Sequence, residues 1–332
     1  MTNYPEGPQI LEKLISAQNI LLMLHISPDA DSVGSNLAMS HFLKSQKINH
    51  KIVSLDEPSK NLSFLKGFKT IEKKDPRDIV EEFDTLVFLD SADVNRTTRH
   101  EHGIPVEGKN VINIDHHHTN PRFGQINLID AKACSTAEIV YNLFIKWGYE
   151  ISTETANCLL CAISGDTESF RWSTTSNTFI AAANLLEKGA SLKDVDFNLY
   201  RRVPLQALKY QAEVIQNAQT FDVGGKRLLF AAMPSEKVKD LGGLEFAHGG
   251  AQQMNNIEGI DIGIVIYEEE DGFISGGLRA RTDVDVSEIA ALFGGGGHKA
   301  AAGFHIKIKG DFEQKKKYIL EKIVDYLKNE KN

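Results

Sequence analysis

Residues 20–35 read ILLMLHISPDADSVGS, and their pattern gives the clearest indication of the fold. Its first part, ILLMLHI over 20–26, is apolar without alternation, which is typical of a strand covered on both faces in a parallel sheet. The end of this run and the turn after it supply His25, Asp29 and Asp31. Open α/β sheets collect their ligands at the carboxyl ends of the strands. The stretch therefore predicts both a sheet and a site at its edge.

Three further apolar runs resemble this first strand. They are INHKIVSL over 48–55, TLVFLD over 85–90 and NVINID over 110–115. Helix-like stretches separate the runs, and strands that alternate with helices are the pattern of an α/β fold with a parallel sheet. We therefore expect an N-terminal parallel-sheet domain over residues 1–190.

The second half of the chain predicts a helical region followed by another sheet. Residues 152–189 favour helix, with Gly189 as a stop signal. Residues 191–220 are predicted to be a helical connector, because they are rich in charge and lack a strand pattern. A smaller α/β domain with two interleaved helices is expected over 221–332. Its predicted strands and its closing amphipathic helix are KRLLFAAM (226–233), IDIGIVIYEE (260–269), GFISGGLRAR (272–281), AAGFHIKI (301–308) and residues 312–328.

The composition is that of a globular protein, with 332 residues of which 42% are hydrophobic and 25% charged. A chain of this length exceeds one ordinary core, so two domains are expected. Three cysteines, an odd number, argue against a disulfide framework and fit a reducing cytoplasm. Cys158 and Cys161 form a CxxC in a helix-like run, where buried thiols are favoured over a redox or zinc pair. No apolar run is long enough to span a bilayer and no signal peptide is recognisable, so no membrane partner is expected.

The formal net charge of −8 bears on the partners of the protein. Proteins that hold long nucleic acid usually carry a basic face, because phosphate neutralisation supplies most of their affinity. The sequence contains no basic stripe. Long nucleic acid is therefore not an expected partner, and phosphate-bearing substrates would be small and held locally.

Acidic and imidazole side chains follow three of the first strands. Because the carboxyl ends of parallel strands meet at one edge, separate segments deliver these groups to the same place. Crowded carboxylates raise one another's pKa unless cations compensate them. Four carboxylates are balanced formally by two divalent ions, and mixed ligation by His and Asp suits first-row metals. The candidates are His25, Asp29, Asp31, Asp90, Asp115, His116, His117, His118 and, after a helix-like run, Asp166.

Each of these fragments alone is usually a solvated turn or a surface pair, whereas their joint placement at strand ends indicates a metal site. Four segments in order, HISPDADSVGS, FLDSAD, IDHHHTN and SGDT, resemble the four motifs of the DHH phosphoesterase family. GGLRAR and FGGGGHKAAAGF resemble the companion DHHA1 substrate-binding domain. The compact layout is similar to the stand-alone oligoribonuclease (nanoRNase) and pAp phosphatase branch. The resemblance implies two domains with the active site in the cleft between them.

The resemblance also implies a role for each matched residue. His25 and Asp29 match ligands of one ion, and Asp31 and His116 match ligands of the other. Asp90 matches a carboxylate that bridges the two ions. The full set of implied metal ligands, with two divalent ions of which manganese is the expected kind, is His25, Asp29, Asp31, Asp90, His116 and Asp166.

Four nearby residues are expected to act around these ligands or to depart from the pattern. His117 matches a residue that faces the substrate phosphate, and Asp115 is expected to orient a ligating imidazole. His118 stands at a variable position and is expected to be incidental. Glu168 occupies a place where a small residue is expected, which leaves the shape of that loop open.

Recognition of the substrate is expected from the second domain. Arg279 and Arg281 alternate by two and would share one strand face, and the guanidinium fork suits phosphate. Glycines lack the Cβ that blocks a close approach, and their amides can form an anion-binding concavity. The candidates here are Gly294, Gly295, Gly296, Gly297 and His298. For Arg96, Arg99 and Arg171, the sequence favours a phosphate contact and a surface position equally.

Two-metal chemistry lowers the pKa of a shared water and clamps both oxygens of an in-line displacement. No serine or cysteine nucleophile is then needed. The expected activity is hydrolysis of short oligoribonucleotides to mononucleotides, together with removal of the 3′-phosphate of phosphoadenosine phosphate. The alternatives are cleavage of linear or cyclic signalling dinucleotides, hydrolysis of pyrophosphate or polyphosphate, and, from a different class, a catalytically inactive nucleotide-binding regulator.

Overall fold

The computed structural model describes residues 2–247, 250–269, 272–281 and 284–329. The chain divides into two compact units, Met1–Arg202 and Val203–Asn332. The division lies within residues 191–220, the range that the sequence assigns to a connector. The domain limits drawn from the sequence therefore stay a prediction. In the described part of the chain, no helix is long and apolar enough to cross a bilayer.

Unit 1 contains a six-stranded sheet in which every neighbouring pair of strands is parallel. The strand order is β3-β2-β1-β4-β5-β6. Such a doubly wound order reverses direction between β1 and β4, and ligands of open α/β sheets bind at this point. The strands are β1 Ile20–Met23, β2 His50–Ser54, β3 Ile71–Lys73, β4 Thr85–Leu89, β5 Asn110–Asp115 and β6 Ile126–Ile129.

Helices cover one face of this sheet and bury its main apolar core. A smaller core, which includes Leu21 and Phe88, lies on the other face. Helices α2 (Ala30–Ser45) and α4 (Thr153–Asp166) cross closely at Gly34, where a Cβ would lie 2.4 Å from the carbonyl oxygen of Cys158. Cys158 and Cys161 are buried free thiols within α4. The helices are α1 Gly7–Ser16, α2 Ala30–Ser45, α3 Thr136–Lys146, α4 Thr153–Asp166, α5 Ser176–Glu187 and α6 Leu192–Asp196.

Two helices occupy most of the range 152–189 that the sequence assigns to helix, but a loop separates them, because α4 ends at Asp166 and α5 begins at Ser176. The intervening loop contains four residues other than glycine with positive φ, and they are Glu168, Ser169, Phe170 and Ser173. Neither glycine nor proline marks this break in the sequence. Strands β3 and β6 were also missed, because β3 is short and largely exposed and β6 is only four residues long.

Unit 2 contains a mixed six-stranded sheet of order β11-β12-β10-β9-β8-β7, in which β8 and β9 are parallel and the other pairs antiparallel. The strands are β7 Gln219–Val223, β8 Lys226–Met233, β9 Ile262–Glu268, β10 Phe273–Ala280, β11 Gly296–His298 and β12 Ala301–Lys307. The helices are α7 Leu205–Gln216, α8 Ser235–Asp240, α9 Gly250–Asn255, α10 Val286–Ala291 and α11 Phe312–Asn329.

Each face of this second sheet has its own apolar core. The α10 and α11 side buries residues such as Ile264, Leu278 and Phe304. The opposite side, with α7, α8 and α9, buries Tyr210 and Val265 among others. The sequence did not predict β7 or β11. Among the described residues of this unit, three short helices (α8, α9 and α10) lie between the strands, where two were expected.

Candidate metal centre

The carboxyl ends of three parallel strands meet at one edge of the unit 1 sheet. β1 leads to His25, β4 to Asp90, and β5 ends in Asp115. Asp29 caps the N-terminus of α2, where its side chain accepts the amides of Asp31 and Ser32. The structure therefore gathers the predicted residues at the reversal point between β1 and β4, as the strand order requires.

One group of side chains consists of His25, Asp29 and Asp90. The His25 Nε2 atom lies 3.6 Å from Asp29 Oδ1 and 3.4 Å from Asp90 Oδ2. His25 Nδ1 lies 2.9 Å from the carbonyl oxygen of Ile26, and this contact leaves Nε2 directed at the acids. One ligand atom from each of the three residues lies within 4.8 Å of the others.

A second group consists of Asp31, His116 and Asp166, with one ligand atom from each again within 4.8 Å of the others. The His116 Nε2 atom lies 3.1 Å from Asp166 Oδ2. Asp166 is the last residue of α4 rather than a residue beyond its end. A helix end thus delivers this carboxylate to the strand edge.

Asp90 lies between the two groups. Its Oδ2 atom faces His25 Nε2, while its Oδ1 atom lies 3.6 Å from His116 Nε2. Asp90 adopts a left-handed backbone with φ of 61° just beyond the end of β4, a conformation that residues other than glycine rarely take. Strain of this kind at a buried carboxylate is common at functional sites. The two carboxylate oxygens of Asp90 are thus directed at the imidazoles of His25 and His116.

The N-terminus of α3 holds Asp31 in place. The backbone amides of Thr136 and Ala137 donate to its two carboxylate oxygens at 2.6 and 3.0 Å, and Ser35 Oγ donates at 3.0 Å. The Thr136 hydroxyl also donates to Asp90 Oδ1 at 3.3 Å. A helix N-terminus favours negative charge, so α3 stabilises both acids.

The sequence reasoning missed this contribution of α3. A signal existed, because Ser135 followed three residues later by Glu138 is the pattern of a helix N-terminus. The structure has Ser135 as the N-cap, with its side chain accepting the Glu138 amide. An N-terminus predicted there would have indicated donors for an anionic group.

Asp115 is fully buried and organises the imidazole loop. Its Oδ1 atom lies 2.7 Å from His117 Nδ1 and accepts the His116 amide at 2.8 Å. Asn120, another residue that the sequence reasoning missed, donates from Nδ2 to Asp115 Oδ2 at 2.7 Å. A carboxylate on Nδ1 sets the tautomer and orientation of an imidazole. The imidazole that Asp115 contacts is that of His117, and His118 is exposed.

The charges in this cluster are strongly coupled. Burial and the neighbouring carboxylates of Asp90 and Asp166 raise the pKa of Asp31 well above its usual range. Burial also raises the pKa of Asp166 to about 6, although His116 acts in the opposite direction. Burial alone would lower the pKa of His116, but the hydrogen bond and charge of Asp166 raise it to about 10.

These shifts have one physical cause, an excess of negative charge out of contact with water. Asp31 and Asp90 are 0% and 2% exposed, and buried charge is stable only when it is paired or coordinates a metal. The donors are carboxylate oxygens and imidazole nitrogens, a set that suits divalent first-row metals. The residues present therefore fit a metal centre.

The structure places the predicted arginines of unit 2 differently from each other. Arg279 lies in β10 and lines a cavity of about 470 Å³, together with Tyr267, Ser275 and Gly277. Arg281 lies beyond the end of β10, is exposed, and donates to the carbonyl oxygen of Ile257 at 3.2 Å. Arg281 is the residue that follows the end of β10, and its expected role beside Arg279 in binding the substrate stays a prediction.

Part of the glycine run is used for close packing, and its expected role in binding an anion stays a prediction. The amides of Gly294 and Gly295 donate to carbonyl oxygens at the end of α10. A Cβ on Gly295 would lie 2.2 Å from a carbonyl oxygen of β12, and one on Gly297 would lie 2.6 Å from another. Gly296–His298 instead form the edge strand β11.

The remaining candidate arginines are surface residues or pair locally. Arg99 makes a two-pronged contact to Asp56, at 2.8 Å for each nitrogen. Asp56 Oδ2 also accepts the amide of Ser27, in the turn before Asp29. Arg99 therefore braces this turn. Arg96 and Arg171 are exposed.

Comparison with known proteins agrees with the geometry of the site. A family profile described as "DHH family, N-terminal domain" matches residues 19–163, and one described as "DHHA1 domain" matches residues 247–329. The "Bifunctional oligoribonuclease and PAP phosphatase NrnA" of Thermus thermophilus is 33% identical over 328 residues, which cover 98% of this chain and 95% of that protein.

Two further matches extend the range of similar proteins. The "Cyclic-di-AMP phosphodiesterase PdeA" of Listeria monocytogenes is 25% identical over 320 residues, covering 90% of this chain but 46% of that protein. The crystal structure of an exopolyphosphatase-related protein from Bacteroides fragilis has a TM-score of 0.89 at 23% identity, and covers 97% of this chain and 96% of that one. This last likeness concerns the fold.

Proposed function

The chain belongs to the DHH family of metal-dependent phosphoesterases, and from this premise we propose that it hydrolyses short oligoribonucleotides to mononucleotides with two divalent metal ions. Removal of the 3′-phosphate from phosphoadenosine phosphate is part of the same proposal. The observation that carries it is Asp90, whose two oxygens are directed at His25 and His116 in separate acid–imidazole groups. One carboxylate shared by two groups supports a bridging role between two ions.

The proposed ligands are His25, Asp29 and Asp90 for one ion and Asp31, Asp90, His116 and Asp166 for the other. This donor set suits divalent first-row metals, and manganese is the proposed ion because the family resemblance implies it. When bound, two such ions activate water and stabilise the charge of an in-line displacement at phosphorus. The chain's own contribution is to hold the acids in place. The α3 N-terminus does so for Asp31, with two amides and the Ser35 hydroxyl.

His117 is the proposed contact to the substrate phosphate. Its Nδ1 atom is engaged by Asp115, which fixes the orientation of the ring. The side chain is partly exposed, unlike Asp115, so it can reach a bound molecule. A donor aimed at a non-bridging oxygen stabilises charge that develops in the transition state.

The nucleotide preference rests on unit 2 and on the net charge. The cavity beside Arg279 has a volume of about 470 Å³, within the range of roughly 300–1,000 Å³ for small-molecule sites. A net charge of −8 disfavours long strands, which need an extended basic surface. Linear or cyclic signalling dinucleotides are the second candidate substrates, supported by the similarity to the Listeria phosphodiesterase.

A substrate panel tests the proposal. It contains ribonucleotides of two to about twenty-four residues, phosphoadenosine phosphate and cyclic dinucleotides, each with manganese and with excess chelator. We expect di- to pentaribonucleotides to be cut faster than the longest strand at physiological salt, because few phosphates can be held. Equal or faster turnover of the long strand would favour a processive exonuclease. Full turnover in excess chelator after dialysis would remove the metal requirement.

A further inference from the structure

The segment after Asp166 closes helix α4 with a left-handed turn. The amides of Glu168 and Ser169 donate to carbonyl oxygens of the last turn of α4, at 3.2 and 2.8 Å. This pair of bonds is the Schellman ending of a helix, in which glycine usually holds the position that Glu168 has here. Glu168, Ser169 and Phe170 have φ values of 46°, 60° and 66°. Three successive side chains in this conformation are disfavoured, so the turn is built against the local preference.

The turn is fixed by further bonds to Thr167, which is fully buried and adjoins Asp166. The Phe170 amide donates to Thr167 Oγ1 at 2.9 Å, and the Trp172 amide donates to the Thr167 carbonyl oxygen at 3.1 Å. The chain therefore folds back so that the backbone of Trp172 is bonded to the residue next to a proposed metal ligand.

The side chain of Glu168, which extends from this strained position, accepts a hydrogen bond from Trp172. Its Oε2 atom accepts the indole Nε1–H of Trp172 at 3.0 Å. The Trp172 side chain is nevertheless 50% exposed. A hydrogen bond thus orients a large aromatic ring at the surface, six residues after Asp166 in the sequence. Burial does not explain why a tryptophan stands at this position.

The other tryptophan shows what a structural role looks like in this protein. Trp147 Nε1 donates to the carbonyl oxygen of Gly7 at 3.0 Å. Its ring packs against Phe42 and Phe144 at centroid distances of 5.1 and 5.9 Å. Trp147 therefore packs against the core of unit 1, whereas the edge of the Trp172 ring is bonded to a carboxylate of its own loop.

We propose that Trp172 is a stacking platform for a nucleobase of the substrate, namely the base next to the phosphate at the metal centre. The inference rests on the proposed function and names how the same site holds the nucleoside. Every base has a π-face, so stacking on an aromatic ring accepts bases without sequence preference. The bond from Glu168 fixes the ring before the substrate arrives, which lowers the entropic cost of binding.

The first test compares Trp172→Ala, Trp172→Phe and, as a matched control, Tyr318→Ala, which removes an exposed aromatic ring from α11 in unit 2. On a diribonucleotide, Trp172→Ala is expected to raise KM roughly five- to a hundredfold with kcat little changed. Trp172→Phe keeps an aromatic face and should restore KM to within about threefold of the wild type. Tyr318→Ala should behave as the wild type. Equal KM values for Trp172→Ala and wild type would overturn the proposal.

Glu168 offers a test that a purely structural role cannot pass. Glu168→Gly places the preferred residue in the left-handed position, so Tm should stay equal or rise. The same change frees the indole, so KM should rise severalfold. Glu168→Gln keeps an acceptor for Nε1–H and should retain the wild-type KM. A KM that follows Tm across these variants, or that is unchanged in Glu168→Gly, would contradict the anchoring role.

Binding is measured directly with a non-hydrolysable phosphonate analogue of a diribonucleotide in the presence of magnesium. Trp172 and Trp147 are the two tryptophans of the chain. Saturable quenching of fluorescence in the wild type, absent in Trp172→Phe, is the expected result. No quenching in the wild type would overturn the platform even if diribonucleotides are hydrolysed. Quenching by the analogue without any hydrolysis of diribonucleotides would leave the platform standing and contradict the proposed reaction.

Discussion

Both units are built on six-stranded sheets, yet they use their sheets in opposite ways. In unit 1 the candidate metal ligands, such as His25 and Asp90, lie just beyond the carboxyl ends of the strands. In unit 2 the cavity lies on the face of the sheet, where side chains are missing at Gly277 of β10 and Gly303 of β12. These two glycines are direct partners in the β10–β12 register.

The two units therefore depend on different features, ionisable side chains in unit 1 and an open cavity in unit 2. A buried cluster of ionisable groups needs support from outside, and the amides at the start of α3 supply it for Asp31. The cavity of unit 2 instead depends on backbone without side chains at Gly277 and Gly303, with the charged side chain of Arg279 in its wall. Damage to the first should abolish the reaction, whereas damage to the second should weaken recognition.

The largest effect on turnover is expected from a substitution of Asp90 in unit 1. Asp90→Asn preserves the volume of the side chain but removes the charge that faces His25 and His116. We expect kcat to fall by roughly a hundredfold or more, since even residues that only orient metal ligands are worth ten- to a hundredfold. Turnover of a dinucleotide and metal content per chain are the measurements. Retention of more than about a tenth of kcat with two bound ions would refute the bridging role.

A smaller effect is expected at the cavity of unit 2. Arg279→Ala removes the cationic side chain that lines it and should lower kcat/KM roughly ten- to a hundredfold, chiefly through KM. Metal content should be unchanged. His116→Ala is the matched variant in unit 1 and should lower metal occupancy and kcat together. Loss of metal in Arg279→Ala, measured by metal analysis, would show that the two units do not divide the work in this way.

Neighbouring glycines sharpen the comparison inside unit 2. A Cβ on Gly276 would lie 2.3 Å from the ring of Phe304, which packs on Phe293, whereas one on Gly277 would lie 3.6 Å from Ala251. Gly276→Ala should therefore destabilise unit 2 by about 1–3 kcal/mol, while Gly277→Ala should leave its stability nearly unchanged. Amide hydrogen exchange of β10 and β12 in the intact protein measures both. Equal protection in the two variants would contradict the assignment of one glycine to packing and the other to space.

The smallest expected effect concerns pH and an ion pair of unit 2. Lys315 Nζ lies 2.8 Å from Glu268 Oε1, and both side chains are largely buried. Burial alone would raise the pKa of Glu268, but the bond to Lys315 lowers it below its usual range. A lowered folded pKa means that the contribution to stability is present above the unfolded pKa of about 4.3 and is lost as pH falls through the lower folded value.

Lys315→Met provides the control for this pair. The difference in exchange protection of β9 between wild type and variant should be largest near neutral pH and shrink below about pH 4. A difference that is constant from neutral to acidic pH would show that the lysine acts through packing alone. Unit 1 protection should be the same in both proteins at each pH.

Some elements of the fold could be predicted from the sequence and others could not. The strands β1, β2, β4 and β5 were predicted because buried parallel strands are continuous apolar runs. The break at Glu168 was missed, because the turn uses ordinary side chains in left-handed conformations that are stabilised by tertiary bonds. The edge strand β11 was missed for a related reason, since its glycines carry no strand pattern and owe their conformation to β12.

The candidate site divides in the same way. Asp and His residues at strand ends carry their chemistry in their side chains, so the pattern of residue types along the chain is enough to indicate them. The donors that hold Asp31 are backbone amides, which every residue except proline possesses, so only their placement by α3 makes them functional. The cavity of unit 2 is defined by absent atoms, and no residue type indicates which glycine makes space and which permits packing.

The bonds between α3 and Asp31 have a consequence for how each molecule acquires its metal. During synthesis the ribosome releases Asp29 and Asp31 early, yet the amide that Thr136 donates to Asp31 belongs to a residue 105 positions later. Until then the acidic turn is a segment without a preformed site, and a preformed site is what metal affinity depends on. Asp166 follows later still. We therefore expect metal uptake to be a late step in the folding of the chain, after unit 1 has formed.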